Sequence, residues 1–447
     1  MAGCPIVTRR HLTVAEMQVL RDQQEKYSRR QARCIRILDE HRAMGGDALS
    51  RSETAYFHMA MGKTFSDKEL WLLQPGSELL RRRELREAAI RAAVDKDPLL
   101  REAYGGAWQR LAESLERHKQ IERLYGLLED GEAFSTKLFS FARALVRLAD
   151  ETAKPDAERL DGYNEADLPA LKRWLFAETP IDEGLGIRML TDSLALFEEE
   201  AGSDNEWVRK VLAGKRPAER AFELVRGSRL GDVNVRRAIA ESDQRAFAAL
   251  NDPMIALARL VDQPAREVRT EVDDDIGERA YREHLRIAAA VRAVAGRDTY
   301  PDATGTLRLS FGRVTKLESR MQDNPTYRTL TELFWSLQDR SPIAPSQIHS
   351  ALEPRSIRVR RGLKFDTPFL FESDVDGSFG NSGSPVLNQR GQQIGVQTRG
   401  PREALYLTYE YDGQRCDGMG THMAGIVEVL VNVYGALELV RELTGPE

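Results

Sequence analysis

The chain is 447 residues long, more than one hydrophobic core ordinarily holds, so two or three folded units are expected. Charged residues make up 30% of it yet balance to a net charge of −5, which leaves no broad basic face and excludes nucleic acid as an expected partner. No stretch of about 18 apolar residues occurs, so no segment reads as crossing a membrane, and residues 1–10 lack the apolar core of a signal peptide.

Three cysteines, Cys4, Cys34 and Cys416, are too few and too far apart for a disulfide framework or a Cys-x-x-Cys metal knuckle. No metal or other cofactor is expected. From about residue 13 to 297 the periodicity is helical. Thr13-Val14-Ala15-Glu16 is a capping box that opens a long helix through about His41, and Ser66-Asp67-Lys68-Glu69 has the same form. Leu138, Phe141, Leu145 and Leu148 are spaced to line one helix face. Pro155, Pro180, Pro217, Pro253 and Pro264 punctuate an irregular helical domain without a repeat period. The acidic run 271–275 lacks the alternating ligands and glycine of a calcium loop and reads as a solvated helix face, as does Arg81-Arg82-Arg83.

Near Asp298 the pattern changes. Residues 306–311 alternate with period two and read as a half-buried strand. A short helix is expected over about 324–338, strands over 364–373, 384–388, 392–398 and 403–411, and a last amphipathic helix over about 423–443. The class is therefore α+β, a large irregular helical domain followed by part of an antiparallel β-barrel and a C-terminal helix.

One loop carries chemistry. In Gly380-Asn381-Ser382-Gly383-Ser384-Pro385-Val386, glycines flank a serine, and glycine tolerates the positive φ of a tight turn while leaving no Cβ in a substrate's way. A reactive serine needs such a turn, together with backbone N–H groups able to cradle a developing oxyanion. Residues 387–396 then read as strand, turn, strand. The loop and hairpin resemble the nucleophile segment of chymotrypsin-type serine proteases. Of the seven histidines, His11, His41, His58, His118 and His284 fall on expected helices or their edges, and His349 lies in a Pro-rich connection. His422, with Asp412 and Asp417 nearby, is best placed in sequence to act as a base, although it heads the last helix.

On a wider set of residues the chain resembles the bacterial serine dipeptidyl-peptidases that include dipeptidyl-peptidases 7 and 11. The resemblance covers nearly the whole length. It rests on Phe365-Asp366-Thr367-Pro368-Phe369 through Pro385, on Tyr300 through Gly312, and on Asp252 through Arg259. Gly3-Cys4-Pro5 followed by Thr8-Arg9-Arg10-His11-Leu12-Thr13 also fits. It implies a chymotrypsin-type double barrel with an inserted helical domain, divided here as 1–12 (remnant of a barrel strand), 13–297 (helical) and 298–447 (barrel portion with the serine). It implies Ser382 as nucleophile, Gly380 and Ser382 as oxyanion-hole donors, a peptide substrate and a periplasmic setting. The family's catalytic histidine and aspartate lie ahead of the Gly-x-Pro passage, so the first barrel is expected to be missing. Ungapped counting puts Gly400 at the first side-chain pocket and Arg399 where the family has an amine-binding aspartate; a guanidinium there would repel an ammonium group. Three readings stay open: a dipeptidyl-peptidase inactive on its own, a non-catalytic peptide- or protein-binding module, and half of a two-chain enzyme. The strands are expected to form an open barrel with Val386, Leu387, Ile394 and Val396 turned inward, and the chain is expected to self-associate or take a partner that brings the missing barrel.

Overall fold

The computed structural model describes residues 1–3, 8–178, 180–296, 302–315, 327–331, 363–378, 380–399, 402–411 and 418–445. The chain divides into two compact units. One comprises residues 1–14, 71–88 and 295–447, the other residues 15–70 and 89–294. Residues 71–88, which helical periodicity alone assigns to the helical domain, thus cluster with the sheet.

The first strand is β1 (Ala2–Gly3). The helices that follow are α1 (Val14–Arg42), α2 (Asp47–Leu72), α3 (Glu78–Lys96), α4 (Pro98–Tyr104), α5 (Ala107–Leu128), α6 (Lys137–Glu151) and α7 (Leu168–Leu175). Then come α8 (Glu183–Ala201), α9 (Glu206–Leu212), α10 (Pro217–Gly227), α11 (Val233–Ala240), α12 (Gln244–Ala248), α13 (Pro253–Thr270) and α14 (Glu278–Ala295). Helix α1 matches its expected span. The second capping signal does not start a helix: Ser66 is buried inside α2. Its neighbour Asp67 accepts from Lys63 one turn earlier and from Ser28 on α1, so the carboxylate serves side-chain pairing instead of a cap. Gly62 leaves the room into which the Gln31 amide of α1 fits.

Leu138, Phe141, Leu145 and Leu148 are all buried on α6, as their spacing predicts. They join Phe134, Phe197 and the apolar face of α13 in the main helical core. Each such side chain contributes roughly 1.5–3 kcal/mol by leaving water. This core is flanked by buried ions. Arg147 donates to Asp262 at 2.7 Å and to both oxygens of Glu129 at 2.8 and 2.5 Å. Arg266 donates to the other oxygen of Asp262 at 2.6 Å and to Glu151 at 2.5 Å. Burial pushes the Glu151 carboxyl up, but hydrogen bonds from Lys154, the Leu160 N–H and Arg266 outweigh it and hold the group below its usual range. Glu151 therefore adds stability that is fully present above its unfolded value, about pH 4.3, and is lost as the pH falls through its lower folded value.

The sheet unit contains β2 (Arg308–Leu309), β3 (Arg328–Thr329), β4 (Pro368–Ser373), β5 (Pro385–Leu387), β6 (Gln393–Arg399) and β7 (Gly418–His422). It closes with α15 (Met423–Val429) and α16 (Leu437–Thr444), joined by a π-helical turn over Leu430–Tyr434. Strand β1 pairs with β2, and the other five form an antiparallel sheet in the order β3-β4-β7-β6-β5. Among the described residues the sheet ends at β3 and β5 without closing.

The structure corrects several expectations. Residues 402–408 form a 3-10 helix in place of a strand. The carbonyls of Leu407, Thr408 and Tyr409 are taken by Arg10, the Arg9 N–H and Arg83, so they are not offered to a neighbouring strand. The strand that completes the sheet is β7, whose Gly418-Met419-Gly420 has poor strand propensity. Its glycine is required by packing. The fully buried Phe371 ring lies across β6 and β7, where a Cβ on Gly395 would come within 2.6 Å of it, and one on Gly420 would also overlap it. Lastly, Val386 is buried but Leu387 is 40% exposed, so the expected inward set is incomplete. The expected 306–311 strand pairs only over Arg308–Leu309, and its apolar side chains Leu307, Leu309 and Phe311 are exposed. Of the short helix expected over 324–338, Arg328–Thr329 is strand β3 and Leu330 and Thr331 are helical; the rest lies outside the described residues. Among the described residues no helix is long and apolar enough to cross a membrane.

Replacing Asp262 by Ala strands Arg147 and Arg266 without their shared acceptor. Chemical denaturation should register a loss of about 3–5 kcal/mol from the helical unit. A loss under about 1 kcal/mol would show that the ion cluster is dispensable.

Candidate active site

The 380–384 loop sits between β4 and β5 and is held by its own backbone. The Ser378 N–H donates to the Asn381 Oδ1 at 2.9 Å, and the Asn381 N–H returns a bond to the Ser378 carbonyl at 3.1 Å. The Ser384 N–H donates to the Asn381 carbonyl at 3.0 Å, and the Gly383 N–H reaches the Gln397 carbonyl on β6 at 2.7 Å. Gln397 answers with its own N–H to the Ser384 carbonyl at 2.9 Å. Asn381 and Ser384 are buried, while Ser382 between them is exposed. Gly380 and Gly383 adopt φ of +96° and +86°, conformations that a residue with a Cβ resists.

The pattern of donors is the informative part. The amides of Asn381, Gly383 and Ser384 are used in scaffolding, whereas those of Gly380 and Ser382 have no acceptor among the described residues. Two unclaimed N–H groups beside an exposed hydroxyl can bind an oxyanion formed on a carbonyl that the hydroxyl attacks.

No described histidine is hydrogen-bonded to Ser382. His422 is the N-cap of α15, its Nδ1 accepting from the Ala424 N–H at 3.1 Å. Its ring meets Tyr327 and Phe371 edge-on at 5.3 and 6.2 Å. Burial lowers its pKa, so the ring is neutral near pH 7. A neutral imidazole that accepts at Nδ1 carries its proton on Nε2, where it can donate but cannot take a proton. His41 pairs with Asp182 and His284 with Glu16, each at 3.1 Å, inside the helical unit. His349, Asp412, Asp417 and Gly400 lie outside the described residues. Arg399 is the last residue of β6, opposite Met419, and the ladder is irregular between Gln397 and Arg399. No group of described residues has the makings of a metal site.

Sequence reasoning passed over one pair. The Arg10 guanidinium forks onto Asp376, four residues ahead of Gly380, with N–O distances of 2.7 and 2.6 Å. The available signal was the Arg9-Arg10 doublet in the passage after Gly3, but nothing in the pattern points to its partner.

The described strands thus form an open antiparallel sheet that carries a glycine-flanked, exposed serine with two amides that no described residue accepts from. The chain belongs to the Peptidase S46 family, whose model matches residues 1–445. It is 27% identical over 345 residues to an Asp/Glu-specific dipeptidyl-peptidase of Shewanella putrefaciens, covering 70% of this chain and 47% of that protein. With the Asp/Glu-specific dipeptidyl-peptidase of Porphyromonas gingivalis it shares 24% over 320 residues, covering 66% and 41%. Dipeptidyl-peptidase 7 of Capnocytophaga gingivalis is 24% identical over 207 residues, covering 44% and 28%. The chain thus spans less than half the length of these relatives. The fold matches crystalline Porphyromonas endodontalis DPP11 in complex with the dipeptide Arg-Glu at a TM-score of 0.72 and 15% identity, over 100% of this chain and 64% of that one.

Because His422 caps a helix and holds the wrong tautomer for a base, His422→Ala should lower stability by about 1 kcal/mol. It should leave the rate at which fluorophosphonates label Ser382 unchanged. Labelling that collapses in this variant while the fold persists would make His422 the base after all.

Proposed function

We propose that residues 1–447 carry the nucleophile and oxyanion cradle of a serine-type dipeptidyl-peptidase that releases dipeptides from peptide N-termini. The observation that supports this most is the pair of unclaimed amides at Gly380 and Ser382 beside the exposed Ser382 hydroxyl. Ser382 Oγ attacks the carbonyl of the second residue and passes its proton to a base that lies outside the described residues. The new oxyanion accepts from the Gly380 and Ser382 N–H groups, each such donor being worth ~10²–10³ in turnover. Collapse expels the amine of the downstream peptide, which takes the proton from the base, and leaves the dipeptide as an ester on Ser382. Water, deprotonated by the same base, then frees the dipeptide.

The base would arrive on a barrel that packs on this one. Leu307, Leu309 and Phe311 support this reading, because alternate residues share a strand face and all three are exposed, at 73, 59 and 79%. Either a longer polypeptide or a partner chain satisfies it, in the periplasmic setting that the family resemblance implies. Asp/Glu specificity, which two relatives carry in their names, extends to this chain through Arg399. A guanidinium pairs with a carboxylate in a planar fork, so a cation at this position suits an acidic side chain.

A second reading, a non-catalytic peptide-binding module, draws support from the commitment of His422 to its helix cap. Turnover of dipeptidyl chromogenic substrates separates the two. The 447-residue polypeptide alone should fall ~10⁴–10⁶ below a complete enzyme, since a triad lacking its base loses that much. Supplying a base-bearing barrel in cis or trans should restore activity on substrates with Asp or Glu at the second position. Ser382→Ala should abolish it, and Arg399→Ala should remove the acidic preference. Turnover by the polypeptide alone that depends on Ser382 would refute the external base. Failure of any complemented form to turn over would favour the binding module.

A further inference from the structure

We propose that Arg10 is a positioning residue for the nucleophile loop, acting through Asp376 to aim the Gly380 amide; this rests on Ser382 being the nucleophile. The 374–380 run leaves β4 at Ser373 and must deliver Gly380 in a defined direction. Two of its residues, Gly377 and Gly380, offer little conformational resistance. Its first anchor is the Asp374 N–H on the Arg313 carbonyl at 3.1 Å. The next lies at Asp376, gripped on both sides: its carboxylate by the Arg10 fork, its carbonyl by the Ser310 hydroxyl at 2.8 Å. Beyond it, Ser378 and Asn381 bond to each other across the turn, and Gly383 and Ser384 tie its far end to β6, so Asp376 is where the near end of the turn is tied to its surroundings.

Arg10 is itself unusually well held. The Asp302 carboxylate accepts the N–H groups of Arg10 and His11 at 2.9 and 3.0 Å and also the Thr8 hydroxyl. The Arg9 N–H bonds to the Thr408 carbonyl at 2.6 Å, and Arg83 binds the carbonyls of Arg10 and Leu12. The Arg10 side chain also donates to the Leu407 carbonyl at 2.7 Å and is only 10% exposed. A backbone secured at this many points turns the guanidinium into a rigid strut. Its planar fork sets both the distance and the plane of the Asp376 carboxylate, which the single point charge of lysine cannot do. The predicted effect is therefore local: releasing the strut frees the turn and leaves the sheet in place.

Hydrogen exchange of the 447-residue protein, resolved at the bonded amides of Asn381, Gly383 and Ser384, tests this. In Arg10→Gln and Asp376→Asn these amides should exchange roughly tenfold faster or more, with a smaller rise in Arg10→Lys, as expected for losing a charge-assisted bond. Amides of the β4–β7 ladder should keep their rates. Ser310→Ala, which deletes only a hydroxyl and keeps the fold within reach, should give the same loop-only acceleration. Loop rates within about twofold of the parent in all four variants, or ladder rates rising in step with the loop, would overturn the proposal. Mapping the adduct left by prolonged fluorophosphonate treatment separates this from the nucleophile assignment. An adduct on a residue other than Ser382 would overturn that assignment and the catalytic meaning of the strut, while the exchange data would still report whether Arg10 holds the turn.

Discussion

Two backbone N–H groups, those of Gly380 and Ser382, have no acceptor among the described residues, in a turn where the amides of Asn381, Gly383 and Ser384 are bonded. Such groups gain nothing for the folded state, because every unpaired donor forgoes a bond that ordinary structure would provide. The turn must therefore be held by everything except the two donors that matter. Gly383 and Ser384 tie its far end to β6 through Gln397, and Asn381 closes it locally. Arg10 and Ser310 meet its near end at Asp376. Even the glycines of β6 and β7 belong to this logic: they admit Phe371, which fills the space a Cβ would take and packs the strand to which the loop is bonded.

The helical unit meets a different constraint, that of burying long charged side chains. Arg147 and Arg266 share Asp262 and reach Glu129 and Glu151, so each charge is compensated within the cluster. Arg236 makes no ion pair with a described carboxylate, Asp232 acting on it only from a distance. It donates to the carbonyls of Leu175, Ala177, Leu230 and Gly231 and lies over the Phe141 ring at 4.3 Å, and burial lowers its pKa. Carbonyls that α7 leaves open at its C-terminal end are thereby satisfied, which is why a cation is tolerated there.

Much of this was legible in the residues, and the limits are physical. Helix α1 and the apolar face of α6 follow from local pattern, and so does the β5–β6 hairpin, because the same side chains that form them also bury them. The serine loop was legible because glycine spacing encodes backbone conformation directly. Ser66 misled because a cap signal is local while its neighbour Asp67 is claimed by Ser28, 39 positions away. Residues 402–408 misled because their aromatic and branched side chains suit a strand, yet arginines distant in sequence claim the carbonyls that follow. Strand β7 was invisible because its Gly420 answers to Phe371, some fifty residues earlier. The Arg10–Asp376 pair spans 366 positions, and no periodicity or motif spacing reports a contact of that range.

The most direct measurement of the account is a crystal structure of the chain after phosphonylation or boronate capture at Ser382. The account places the adduct's charged oxygen within hydrogen-bond distance of both the Gly380 and the Ser382 N–H, about 2.7–3.1 Å, with the turn otherwise unchanged. An oxygen turned to solvent, or a turn that rearranges to pair those two amides internally, would contradict it.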